Sequence, residues 1–331
     1  MRKRAAVWTF AIAAGALMLW IASAPIPAAP VSGPASPARD HEEALARFNR
    51  TRAGTDSSIR IDCLPRLFSH GYKTERAVVL LHGFTNCPKQ FDSLAVLLYE
   101  RGFNVYLPRV PRHGHSDRMT TVLAELTAEE MSACAESALD LAHGLGDRAT
   151  VVGLSSTAVA TAWLAARRSD LDEAVLIAPS LGPRGVSLFW TRRLTSALLS
   201  VPDFFAWWDP RLKERLPGPT QCYPRFSSHA LAQIYRLGHH VLEAARLAKP
   251  AARRVTIVSS ASDKVVSKEA IHELIRRWRS RGAEIREYEF PESRAVSHDM
   301  IDPEQPYQKI AITYPVLLRL VEESRDISGA R

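Results

Sequence analysis

Residues 149–157 read ATVVGLSST: an apolar β-type run that breaks at Gly153 and Ser155, with a helical pattern following from Thr157 to Arg168. A serine at such a strand-to-helix junction is carried on the tip of a tight turn. Its hydroxyl then points out of the carboxyl end of the strand, and the N–H of the next residue, at the helix N-terminus, is placed to stabilise an oxyanion. The usual pattern is Gly-x-Ser-x-Gly, with a small last residue because helix and strand pack closely. Here Thr157 stands in that position, and its β-branched side chain is expected to be accommodated by a slight shift. Taken alone, the string also suits a serine that merely caps a helix, so the surrounding chain has to decide.

Outward from this junction, apolar runs alternate with helical patterns. Before it come AVVLLHGF (77–84), QFDSLAVLLYERG (90–102), FNVYLPRV (103–110) and a helix around Met131. After it come EAVLIAPS (173–180), RRVTIVSS (253–260), KEAIHELIRRWRSRG (268–282) and IREYEFP (285–291). Strands separated by helices of this kind predict an α/β fold with a mainly parallel sheet covered on both faces. The runs are apolar throughout, as strands buried on both sides require. A stretch from about Leu181 to Pro250 breaks the rhythm with FFAWWDPRLKERLPGP (204–219) and a helical pattern from His229 to Leu247, and reads as a lid inserted over one end of the sheet.

A hydroxyl nucleophile needs a base, and the base needs a carboxylate to orient it. In a doubly wound sheet these follow the serine in the order acid, then histidine. Asp263 emerges directly after the run RRVTIVSS, and the loop PESRAVSHDM presents His298. The other histidine in this part of the chain, His272, sits within a helical pattern that keeps it from the top of the sheet. At the end of AVVLL, His82-Gly83-Phe84 provides a turn whose amides face the serine, so the N–H groups of Phe84 and Ser156 are the expected oxyanion donors. His113 and His115, one residue apart and without carboxylates at ligand spacing, make a poor metal site and read as structural or pocket-rim residues. His239 and His240 read as a solvated helix face.

Five ordered elements, HGF (82–84), RHGHS (112–116), GLSST (153–157), SDKVV (262–266) and SHD (297–299), resemble the α/β-hydrolase superfamily over roughly residues 75–320. The resemblance is to its bacterial carboxylesterases and monoacylglycerol-lipase-like or lysophospholipase-like serine hydrolases. It implies an eight-stranded, mostly parallel sheet with a helical lid, and hydrolysis through an acyl-enzyme without cofactor or metal. It assigns Ser155 as nucleophile, His298 as base and then acid, Asp263 as orienting acid, and Phe84 and Ser156 as oxyanion amides. The implied partner is a small-molecule or lipid ester. Amidase, thioesterase or aminopeptidase chemistry on the same machinery is the alternative, as is a non-catalytic hydrolase-like binding module. An aminopeptidase would want a carboxylate cluster in the lid, yet Asp209 and Glu214 are interleaved with Arg211, Lys213 and Arg215.

The chain has 331 residues, 46% hydrophobic and 24% charged, which excludes collagen-like, low-complexity and wholly disordered classes. Its net charge is +8, but Arg2, Lys3 and Arg4 supply three of those charges in one cluster; the scattered remainder argues for no nucleic-acid partner. That basic cluster precedes an uncharged apolar stretch, Ala5–Ala24, which predicts a signal peptide or N-terminal membrane anchor and hence an exported, periplasmic or extracytoplasmic protein, released or tethered to the inner membrane. The expected division is leader at 1–24, Pro/Ala-rich linker and short helix at 25–58, and hydrolase domain at 59–331 with its lid at about 181–250. Of Cys63, Cys87, Cys134 and Cys222, Cys134 falls in a helical pattern and reads as a buried thiol; one disulfide is expected between two of the other three.

Overall fold

The apolar runs of the sequence become strands of one sheet. In chain order the strands are β1 (Arg66–Phe68), β2 (Thr74–Leu81), β3 (Asn104–Leu107), β4 (Gly146–Leu154), β5 (Glu173–Ile177), β6 (Phe205–Trp207), β7 (Arg225–Ser227), β8 (Arg254–Ser260) and β9 (Ile285–Phe290). The helices are α1 (His41–Ala53), α2 (Asp92–Tyr99), α3 (Ala128–Leu145), α4 (Ser156–Arg167), α5 (Leu188–Ser200), α6 (Ser228–Leu247), α7 (Lys268–Ser280) and α8 (Ile310–Glu322). This computed structural model describes residues 24–323 together with Gly15. The expected leader therefore lies, apart from Gly15 and Ala24, outside the described residues. No helix of the described residues is long and apolar enough to cross a membrane.

Seven strands form the main sheet in the order β1-β3-β2-β4-β5-β8-β9. Every neighbouring pair is parallel except β1 with β3. The resemblance implied eight strands; among the described residues the main sheet has seven. Ahead of β1 the chain forms helix α1: HEEALARFNRTRA has an Asp40 N-cap accepting from the Glu43 N–H and a Glu43–Arg47 pair at i,i+4, both of which favour helix. Registers such as Leu81↔Gly153, Leu154↔Ile177 and Ile177↔Val258 bring the carboxyl ends of β2, β4, β5 and β8 to one edge. In an open α/β sheet that edge is where ligands bind.

Helix positions follow from their apolar faces. In α7, Ile271, Leu274, Ile275 and Trp278 recur at helical spacing and are all buried, the stripe that packs a helix on a sheet. The insert between β5 and β8 holds α5, the two-stranded β6–β7 ribbon and α6. Helix α6 is capped by Ser227, which accepts from the Ala230 N–H, and it serves two purposes. Its first half reaches over the carboxyl edge of the sheet with Leu231, Ile234 and Tyr235. Its second half is buried through Val241, Leu242 and Ala245.

The Pro/Ala-rich stretch has no regular secondary structure, yet it lies along the body. Ala38 N–H donates to Asp140 O at 2.8 Å, Ser36 N–H to the Asp140 carboxylate at 3.0 Å, and His240 Nε2 meets Pro27 O at 2.8 Å. His240 and its neighbour His239 are accordingly half-buried, where the sequence suggested a solvated face.

Cys63 and Cys87 are joined and fully buried, while Cys134 and Cys222 are free thiols. Gly114 packs against the pair at φ 79°, and a Cβ there would come 2.8 Å from Cys63 Cβ, so only glycine lets the 112–116 loop close over the bridge. The bridge spans 24 residues, and removing a cross-link of that length costs on the order of 3 kcal/mol. Cys63→Ser is therefore expected to lower the urea midpoint under non-reducing conditions, and an unchanged midpoint would contradict a clamping role.

Candidate active site

Strand β4 ends at Leu154 and α4 begins at Ser156, leaving Ser155 as the entire turn, at φ 59° and ψ −110°. Positive φ is unfavourable for a residue with a Cβ. Here the backbone is held on both sides: Ser155 N–H donates to Ile177 O at 2.8 Å, and Ser155 O accepts from Ser180 N–H at 3.1 Å. The approach of α4 to β4 explains Gly153, where a Cβ would lie 2.4 Å from Thr157 O. Thr157 is not merely tolerated by a shift. Its buried hydroxyl accepts from Leu154 N–H at 3.0 Å and lies 2.7 Å from Leu81 O, to which it can donate its one proton. The β-branched residue thus ties the turn to the end of β2.

His298 joins Ser155 to Asp263. Its Nε2 is 2.9 Å from Ser155 Oγ and its Nδ1 is 2.7 Å from Asp263 Oδ2. Asp263 sits just past the end of β8, and its Oδ1 accepts from Val265 N–H at 2.7 Å and Val266 N–H at 3.3 Å. Burial alone would push this carboxyl up. The hydrogen bond and charge of His298 and the two N–H donors outweigh it, so the group lies below its ordinary value and stays ionised. His272 is exposed on α7, in keeping with its exclusion from the sequence.

Phe84 and Ser156 border the same space as Ser155 and His298. Neither backbone N–H has a hydrogen-bond acceptor among the described residues. The Phe84 loop is fastened from three directions. Thr85 O accepts from Tyr223 N–H at 2.9 Å, and Thr85 Oγ1 from the Trp208 indole at 3.1 Å. Gln90, which sequence reasoning missed, supplies the third: its Oε1 accepts from Gly83 N–H at 2.7 Å while its Nε2 donates to Asp299 Oδ2 at 2.9 Å. One buried amide therefore links the Phe84 loop to the residue after His298. No motif distinguishes it in the sequence, where it opens a helical run.

The remaining histidines near the site are structural. His82 is fully buried, with Nδ1 3.0 Å from Gly83 O and Nε2 accepting from Val110 N–H at 3.1 Å. Burial, reinforced by His113, holds its pKa well below the usual histidine value. His113 is likewise pushed down by burial, to about 4, and stacks on Tyr223. Among the described residues no three His, Cys, Asp or Glu side chains are grouped to hold a metal ion.

The cavity over Ser155 measures 470 Å³. One wall is apolar, with Phe226, Leu231, Ile234 and Tyr235; the other carries Asn86, Gln90, Asp299 and Gln305. Behind the polar wall lies Asp302, only 2% exposed. It accepts from Asn86 Nδ2 at 3.1 Å and from Glu304 N–H at 2.9 Å. Burial, then repulsion by Asp299, pushes Asp302 up to about 7 despite those bonds.

The alpha/beta hydrolase family model matches residues 78–311. No curated protein matches the chain. Among solved structures it resembles the metagenome-derived lipolytic enzymes LipS and LipT, at 17% identity and TM-score 0.59, covering 80% of this chain and 99% of the other. A monoacylglycerol lipase of Paleococcus ferrophilus is similar at 19% identity and TM-score 0.59, covering 78% and 98%. A soluble variant of monoglyceride lipase from Saccharomyces cerevisiae, in complex with a substrate analog, is similar at 12% identity and TM-score 0.57, covering 79% and 91%. At these identities the likeness is one of fold.

The raised Asp302 carboxyl has a pH signature. The folded chain keeps this proton to about pH 7, whereas the unfolded chain releases it near pH ~4. The folded state binds more protons between those values, so this group's contribution to stability falls as pH rises through them. Asp302→Asn cannot ionise; its stability relative to wild type is expected to increase from about pH 5 to about pH 8 in parallel denaturant titrations. A flat or opposite trend would remove the assignment.

Proposed function

The chain belongs to the alpha/beta hydrolase family, and on that premise we propose that it is a serine hydrolase that cleaves carboxylic esters through an acyl-enzyme. The observation that carries the reading is the unbroken chain of contacts from Asp263 through His298 to Ser155, at 2.7 and 2.9 Å, with the serine on a strained turn. His298 Nε2 takes the Ser155 proton as Oγ attacks the ester carbonyl. Asp263 holds the ring through Nδ1 and stabilises the imidazolium that forms. The carbonyl oxygen, now an oxyanion, lies against the N–H groups of Phe84 and Ser156. His298 then returns the proton to the leaving alcohol. A water deprotonated by the same nitrogen attacks the acyl-enzyme, and the acid leaves as Ser155 regains its proton.

The apolar wall of Phe226, Leu231, Ile234 and Tyr235 suits an aliphatic acyl chain, since each buried methylene contributes roughly 0.8 kcal/mol. Lipolytic and monoacylglycerol-lipase neighbours are compatible with such a substrate.

Ser155→Ala should lower kcat for p-nitrophenyl butyrate by on the order of 10⁴-fold or more without loss of fold, and retained activity would refute the nucleophile. Gln90→Leu, which leaves Gly83 N–H without its acceptor, is expected to lower kcat by about 10-fold or more with little change in KM, as misplacement of an oxyanion donor does. An unchanged kcat would show that the Phe84 loop does not depend on Gln90.

A further inference from the structure

Of the titratable side chains that line the cavity, Cys222, Tyr223 and Tyr235 are pushed up by burial and stay neutral, which leaves His298, Asp299 and Arg118. His298 is committed to Ser155 and Asp263. Asp299 is committed as well: its Oδ2 accepts from Gln90 Nε2 at 2.9 Å and Gln305 Nε2 at 2.8 Å, and its Oδ1 from Asp302 N–H at 3.2 Å and Ile301 N–H at 3.3 Å. Four donors account for the lone pairs a carboxylate can offer, so Asp299 shapes the wall and has little left for a ligand.

Arg118 differs. Its Nε donates to Cys222 O at 2.7 Å, which pins the half-buried side chain between the 112–119 loop and the insert. Its two Nη groups have no hydrogen-bond partner among the described residues, and no carboxylate there lies within ion-pair distance of it. Acidic groups do stand around the adjacent Cys222 thiol, namely Asp299, Asp302 and Glu304. Asp299 is saturated, however, Asp302 already accepts from Asn86 Nδ2 and Glu304 N–H, and Glu304 is paired with Lys89 at 2.7 Å. A half-buried arginine that lines the cavity together with Trp208, Leu216 and Phe226 thus keeps a planar fork of donors unused. Carboxylate and phosphate are the groups that match that fork.

Resting on the ester-hydrolase reading, the geometry points to Arg118 as a specificity-determining residue that binds an anionic group, carboxylate or phosphate, carried by the ester substrate. Two matched pairs of substrates test this and separate the two sources. The first pair is 3-butyryloxybenzoate and its neutral methyl ester; the second is 1-butyrylglycerol 3-phosphate and 1-butyrylglycerol. In wild type, the anionic member of at least one pair is expected to have a kcat/KM at least about tenfold higher. Which pair responds identifies the anion. Arg118→Ala, and Arg118→Met, which keeps the aliphatic stem, should abolish that preference while the neutral esters change by less than about twofold. Absence of preference in both pairs, or loss of activity on neutral and anionic esters alike in both variants, would overturn the inference. Hydrolysis of the neutral esters by wild type keeps the ester reading standing in either case; failure to cleave any of the four removes that reading and this inference together.

Discussion

An L-residue held at φ 59° and ψ −110° stores on the order of 1–3 kcal/mol of backbone strain, and the active edge of this molecule is arranged around keeping Ser155 there. The neighbouring strand grips its N–H through Ile177 O, and the chain leaving β5 grips its carbonyl through Ser180 N–H. Gly153 lets α4 approach, and the Thr157 hydroxyl ties the turn to β2. The turn therefore depends on the parallel packing of β2, β4 and β5, and would relax in any fold that did not bring their carboxyl ends together.

Given a fixed serine, the remaining loops need only converge on it. The Asp263 loop is fixed by its own carboxylate, which caps the N–H groups of Val265 and Val266. The His298 loop is fixed by Asp299, which gathers Gln90, Gln305 and two backbone N–H groups. Gln90 then carries that order across to Gly83 and the Phe84 amide. The insert closes the far side through Trp208 and Tyr223, both bonded to Thr85. Positioning thus runs through buried amides and carboxylates with their partners satisfied, a condition under which polar networks rigidify a site instead of weakening it.

Much of this was legible in the chain. Runs such as AVVLLHGF and ATVVGLS mark buried parallel strands by their unbroken apolar character, and their order with the intervening helices sets the topology. Ser155, Asp263 and His298 stand out because each follows a strand, in the expected order. The edges of the structure were less readable. The three-residue strand β1 is too short to show a period. Residues 25–40 lack periodicity because they dock through isolated hydrogen bonds to α3 and α6. Gln90, Asp299 and Asp302 were missed for a common reason: their significance lies in partners as many as 216 residues away, which no local pattern records. Thr157 looked like a departure, since a sequence displays its bulk but not the backbone groups around its hydroxyl.

The central claim is that Ser155 is a hydroxyl activated by His298 at the floor of the cavity. Its most direct measurement is intact-protein mass spectrometry after treatment with an alkyl fluorophosphonate, followed by peptide mapping. The expected result is a single phosphonyl adduct on Ser155 that forms in the folded wild type and is lost in His298→Ala. A folded wild-type protein that forms no adduct, or one that carries it on another residue, would contradict the account.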